Sequence, residues 1–226
     1  MREFANIGGL GKQRLEALVD GICAVAMTLL VLDLKLPDDI VLASDQALWE
    51  RLVGLERHFV IYVITFFVTG MYWYGHHLQF HFVRTTNRVL IWLNLLWLLL
   101  VSFLPFATDL VGDHKTLVLP CEIYGATLLA LSLVAFSQAR YLARHPALAT
   151  AHFTPDVMKL FEMRAAIFAI VPILSMLVAF ENRRLALYVY LLLLCVHRIN
   201  SPIHEHIVHA RSDDEARPEG VGGAPR

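Results

Sequence analysis

Cysteine is scarce in this sequence: Cys23, Cys121 and Cys195 each stand alone within an apolar run. That excludes a disulfide framework and a CxxC metal or redox pair, and it leaves the thiols as packing residues. Charge is thin as well, at 17% of 226 residues, with a formal net charge of −1. No basic patch interleaved with aromatics occurs, which excludes nucleic acid as a partner. Gly-x-Ser-x-Gly, the P-loop and the dinucleotide fingerprint are all missing, so the common hydrolase, nucleotide-binding and hydride-transfer patterns are not met. The chain start has no basic segment leading into a short apolar core and a small-residue cleavage site. The first apolar run is span-length, so it reads as a helix and not as a signal peptide.

What the chain does have is apolar residues. They make up 57% of it, and the mean hydropathy is +0.56. This fits an all-α, polytopic membrane protein. About 20 apolar residues cross a bilayer, and six segments approach that length, near 16–36, 58–80, 89–110, 117–139, 163–181 and 184–200. The third, Val89 to Thr108, contains no charge. The sixth is the weakest, because only Leu185 to Val196 is free of Asp, Glu, Lys, Arg and His. The expected organisation is a six-helix transmembrane domain over 1–205 and a disordered cytoplasmic tail over 206–226, where Gly, Pro and charge dominate. With both termini in the cytoplasm, 13 of the 19 Lys and Arg residues lie inside and six outside, which favours that orientation. The connection from Pro37 to Arg57 carries Asp38, Asp39, Asp45 and Glu50. It reads as a solvated outer loop or as an acidic vestibule that concentrates cations. Thr154-Pro155 marks a helix start, and Pro105 is expected to kink or end the third span.

Three polar features stand out against this background. Asp20 lies in the first span, where a carboxylate is expensive and marks a functional or assembly site with a partner on another helix. The other reading puts it near the helix end, reaching headgroup water. Asn94 sits in the charge-free third span and needs a partner across a helix interface. His76, His77 and His81 read His-His-x-x-x-His, and two histidines at i, i+4 can share a metal. The cluster resembles one histidine box of membrane di-iron desaturases, which need several such boxes. The other histidine cluster here is His204-Glu-His206-Ile-Val-His209, and a zincin motif would need histidine where Val208 stands. Hydrogen bonds between helices are the alternative role for these imidazoles.

On the first helix Val25, Leu29, Leu32 and Leu36 fall at i, i+4, i+7 and i+11, a single stripe at helical spacing. Such a stripe faces lipid, a neighbouring helix or a pore. Thr28 beside it is expected to bond back to the carbonyl of Ala24.

The first helix resembles the signature of the transmembrane protein 175 family, Arg-x-x-x-Phe-Ser-Asp-Gly followed by Ala-Ile-Ala-x-Thr-Leu-Leu-Val-Leu. Arg14, Asp20, Gly21, Ala24, Ala26, Thr28, Leu29, Leu30, Val31, Leu32 and Pro37 stand in matching positions. The likeness continues in Trp73-Tyr-Gly-His76-His77, Leu93-Asn94 and Leu104-Pro105-Phe106. It is specific over the first three helices and rests on hydropathy over the last three.

The resemblance implies a homotetrameric potassium-permeable channel in the bilayer, with sodium as a weaker permeant, and no cofactor. The membrane would be the cell inner or plasma membrane. The pore would be lined by the first helix and closed by Val25, Leu29 and Leu32, with the Thr28 hydroxyls as its polar layer. No conventional filter loop such as Thr-Val-Gly-Tyr-Gly occurs. The resemblance makes Arg14 and Asp20 structural, and His77 and Asn94 on adjacent spans offer partners for an inter-helix polar network. The chain departs from the signature at Leu18-Val19, which replace Phe-Ser. A hydroxyl is lost, so part of that network is missing or remade. Two rivals remain open on the residues: a proton- or cation-coupled secondary transporter using Asp20, which would call for repeats or broken helices, and a metalloenzyme using His76, His77 and His81.

Overall fold

The computed structural model describes residues 11–36 and 44–196. Its described elements are helical. They are α1 (Lys12–Leu29) with a 3₁₀ turn Leu30–Asp33, α2 (Asp45–Gly54), α3 (Glu56–His81), α4 (Arg88–Asp113), α5 (Leu119–Arg144), a 3₁₀ turn Pro146–Leu148, α6 (Pro155–Glu181), and α7 (Arg183–Val189) with a 3₁₀ turn Tyr190–Val196. α1 with its turn, α3, α4, α5 and α6 are each long and apolar enough to cross a membrane.

Local chemistry sets the helix starts. Side-chain oxygens of Ser44, Asn87, Thr154 and Asn182 accept from the amides of Ala47, Leu90, Val157 and Leu185 respectively. Each satisfies one of the orphan donors of a first turn. Pro155 at the first position of α6 suits a fixed φ and a missing amide. The Thr154 start therefore stands where the sequence put it, and α6 begins eight residues before the expected fifth span. Pro105 does not end its helix. α4 runs on to Asp113, and the residues beyond the proline still bond within it, as Thr108 does to the carbonyl of Leu104.

Two further expectations are corrected. The outer connection is not all loop, because Ser44 and Asp45 open a helical turn that continues as α2. Residues 37–43, including Asp38 and Asp39, lie outside the described residues. The sixth apolar run is α-helical only through Val189 and continues as a 3₁₀ turn to Val196. It folds back along α6 and α3, with Tyr190 edge-on to Tyr124 at 5.1 Å. The tail, His204, His206, His209 and the surroundings of Cys195 lie outside the described residues.

α5 packs between α4 and α6, while α1 lies across α3 and α4. One core cluster fills the middle of the bundle, with Val19, Tyr72, Trp97, Leu128 and Phe168 among its members. A second closes the end where α3 stops and α6 starts, around Leu15, Phe80, Phe82, Leu142 and Phe161. At that end Val83 and Ala149 form an antiparallel bridge, so the segments leaving α3 and α5 are tied by backbone bonds. Between helices in a bilayer, apolar burial adds little driving force, and close packing and hydrogen bonds carry the association. Cys23 and Cys121 are free and buried, in keeping with packing roles.

Candidate functional site

α1 divides into two faces. Leu15, Val19, Cys23, Ala26 and Leu30 are buried against α3 and α4. The opposite side leaves Val25 57%, Leu29 42% and Leu32 53% exposed, while Leu30 between them is 1% exposed. The three candidate constriction residues thus play little part in the fold of their own subunit and remain free to meet something else. Leu36 leaves the stripe, because helical structure ends at Asp33.

The change from α to 3₁₀ geometry at Leu30 alters the expected register. In a 3₁₀ turn residues i and i+3 eclipse and the rise is about 2 Å per residue. Leu32 therefore stands almost over Leu29, about 6 Å further along. Thr28 is exposed on the same side. Its hydroxyl donates to the carbonyl of Val25 at 2.8 Å, three residues back instead of the expected four. Beside the stripe, Ala17, Leu18, Gly21, Val25 and Leu29 face Ser102 of α4 across an apolar groove of about 410 Å³.

The polar residues pair differently from the sequence expectation. Asp20 accepts a hydrogen bond from the indole N–H of Trp73 at 2.8 Å, which ties α1 to α3. His77 stacks on the same indole, ring centroids 6.1 Å apart. Asn94 is fully buried and bonds His76 at 2.7 Å, which ties α3 to α4. The Arg14 side chain is exposed and makes no hydrogen bond or ion pair among the described residues. Arg14, Asp20, His77 and Asn94 are therefore not one network. Asp20, Trp73 and His77 form one unit, and His76 and Asn94 another. Val19, which removes the signature hydroxyl, is buried in the core, and Trp73 supplies a donor to the carboxylate.

The histidine cluster is split by helix geometry. His76 points inward, stacked on Phe80 at 4.2 Å and tilted against Trp97 at 4.7 Å, and His77 is exposed. Among the described residues no group of three His, Cys, Asp or Glu side chains is placed to hold a metal.

Sequence reading took up His76 but missed the rest of the main buried polar feature. Thr65, Thr69, Tyr72, His76 and Gln79 of α3 are all buried and recur at i, i+4, i+7, i+11 and i+14. The period was legible, and a search for single polar residues passes over it. Thr65 bonds Tyr124 at 3.0 Å, and Tyr72 bonds Ser132 at 2.8 Å. Arg164, expected at the inner end of a span, is 6% exposed inside the bundle. Its Nη2 donates to the carbonyl of Met71 at 3.0 Å.

Residues 14–105 match the family model of the endosomal/lysosomal potassium channel TMEM175. A potassium channel of Chryseobacterium sp. (strain P1-3) is 35% identical over 126 residues, 56% of this chain and 62% of the relative. Over residues 14–105 the chain is similar to the TMEM175 family. The endosomal/lysosomal proton channel TMEM175 of Homo sapiens is 36% identical over 103 residues, 43% of this chain and 20% of that protein. The chain thus spans about three fifths of the bacterial relative and a fifth of the human one. The TMEM175 match takes in α1 to α3 and the part of α4 up to Pro105, which carry both polar ties and the exposed stripe. A likeness in fold extends further. The crystal structure of a lysosomal potassium-selective channel TMEM175 homolog from Chamaesiphon minutus aligns with 85% of this chain and 97% of that one, at TM-score 0.67 and 22% identity.

Proposed function

We propose that this chain is the subunit of a homotetrameric, potassium-permeable channel whose pore is lined by α1. Val25, Leu29 and Leu32 form the hydrophobic constriction, and the Thr28 hydroxyls form the polar layer next to it. The observation that carries this reading is the division of α1. A bilayer-length helix builds the core with one face and leaves an apolar stripe exposed on the other. Four such stripes around an axis make a narrow, dry passage of the kind that gates by dewetting. The potassium-channel names of the bacterial relatives support the same ion. Six crossings per subunit, both termini in the cytoplasm, and residence in the cell inner or plasma membrane complete the proposal. The stretch Arg183–Val196 serves as a short sixth crossing. Asp20, held by Trp73, fixes the tilt of the pore helix and does not coordinate the ion.

A second reading is proton movement. The vertebrate relatives are named proton channels, and Asp20 is a carboxylate on the exposed side of α1. Potassium flux from proteoliposomes, with sodium as competitor and a pH dye inside, separates the cases. The channel reading expects potassium efflux that does not saturate with driving force, and slower sodium movement. Saturating flux strictly coupled to protons identifies a transporter. Proton flux without potassium flux identifies a proton channel.

A further inference from the structure

Arg164 raises a charge problem that no other described residue solves. The guanidinium lies inside the bundle, and the other buried polar residues described are Thr, Ser, His, Gln and Asn. No carboxylate is buried with it among the described residues. Its plane is held by the Met71 carbonyl and by the ring of Phe168, 4.5 Å from Cζ. Neither brings a negative charge. A buried cation without a counter-charge is among the most costly arrangements a bundle can contain. Beside it is a cavity of about 20 Å³, lined by Tyr72, His76, Trp97, Ser132, Arg164 and Phe168 among others. That is somewhat more than one water requires. Two N–H groups of the lining residues, Nε of Arg164 and the indole Nε1 of Trp97, have no hydrogen-bond partner among the described residues. Both are donors only. The hydroxyls of Tyr72 and Ser132 are engaged with each other and with the carbonyls of Leu128 and Phe168.

Two lining residues that each carry a donor N–H without an acceptor, one of them cationic, border a space too small for an organic acid together with the neutral side chains of His76 and Gln79, and that combination suits a monatomic anion. We infer that each subunit binds one halide ion, chloride in the cell, between Arg164 and Trp97. The site is structural. The anion neutralises Arg164 and joins α6 to α4 through the indole, inside the subunit and apart from the α1 face. This inference does not depend on which ion the protein conducts.

The test uses the full chain purified in detergent and melted at matched ionic strength in chloride, bromide or gluconate. Halide should raise the melting temperature saturably, because a ligand of the native state stabilises by mass action. Trp97→Phe keeps the ring and removes the N–H, so the half-saturating halide concentration should rise about tenfold. Arg164→Met should abolish the saturable component, leaving only the general effect of salts on apolar burial. Crystals grown in bromide should show one anomalous peak in this cavity. If Arg164→Met does not fold, the Trp97→Phe shift and the bromide peak still decide. The inference is overturned by equal wild-type melting in halide and gluconate, by an unchanged half-saturation in Trp97→Phe, or by an ordered water in the cavity of bromide-grown crystals.

Discussion

Gly75→Ala is the substitution on which the packing account stakes most. Alanine within a helix is ordinarily better than glycine by about 1 kcal/mol, so a change judged from propensity alone should stabilise α3. The structure reverses the sign. A methyl on Gly75 would occupy the space of the Arg164 guanidinium, meeting Nη2, Cζ and Nη1 at once. The guanidinium must then leave, losing the Met71 carbonyl and stranding a buried charge, which typically costs about 3–5 kcal/mol. The net expectation is a loss of about 2–4 kcal/mol after the propensity gain. Gly70, on the same helix, is the control. A methyl there meets only Cε of Met27 at 3.7 Å, so Gly70→Ala should be neutral or stabilising by up to about 1 kcal/mol. Denaturation of the purified variants in one detergent, followed by tryptophan fluorescence, reads both. Adding Arg164→Met to Gly75→Ala should recover part of the loss, because the clash goes with the side chain. A Gly75→Ala protein as stable as Gly70→Ala would refute the reasoning, since it would mean that the guanidinium does not rest on α3.

Asp20→Ala should lower the yield of the proposed tetramer on native gels, and Trp73→Phe should reproduce most of that loss because it removes the same hydrogen bond. Arg14→Ala should leave assembly near wild type; a larger defect in it than in Trp73→Phe would assign the partner of Asp20 wrongly. For topology, a phosphatase reporter fused after Arg226 should be inactive and a cytoplasmic reporter active; the opposite pattern rejects six crossings with both termini inside.

Five of the six spans and the Thr154 helix start were legible because they follow from length, hydropathy and a short capping pattern. Thr154-Pro155 announced α6, and Asn94 announced a partner on another helix. The pairings were not legible, since they depend on rotation about helix axes that one sequence does not fix. Asp20 could be assigned Arg14, His77 or Asn94 by proximity along the spans, whereas a carboxylate next to an indole donor is satisfied by Trp73. His76 and His77 are adjacent in sequence and about 100° apart on the helix, so one is core and the other surface. Arg164 was read as an end-of-span charge because an arginine inside a bundle is improbable until its glycine is found opposite. The exposed stripe on α1 was legible as far as Leu29. The turn to 3₁₀ geometry at Leu30, which drops Leu36 and restacks Leu32, has no sequence signal that we recognise.

The most direct test of the central claim is basal potassium current in proteoliposomes carrying Leu29→Asn or Leu30→Asn at matched protein density. These neighbours are 42% and 1% exposed, so the account gives them opposite roles. Leu29→Asn should wet the constriction, raise basal current and weaken potassium preference over sodium. Leu30→Asn should lower folded yield and leave the current per folded channel unchanged. Increased current from Leu30→Asn with none from Leu29→Asn would place the pore on the other face of α1 and contradict the account.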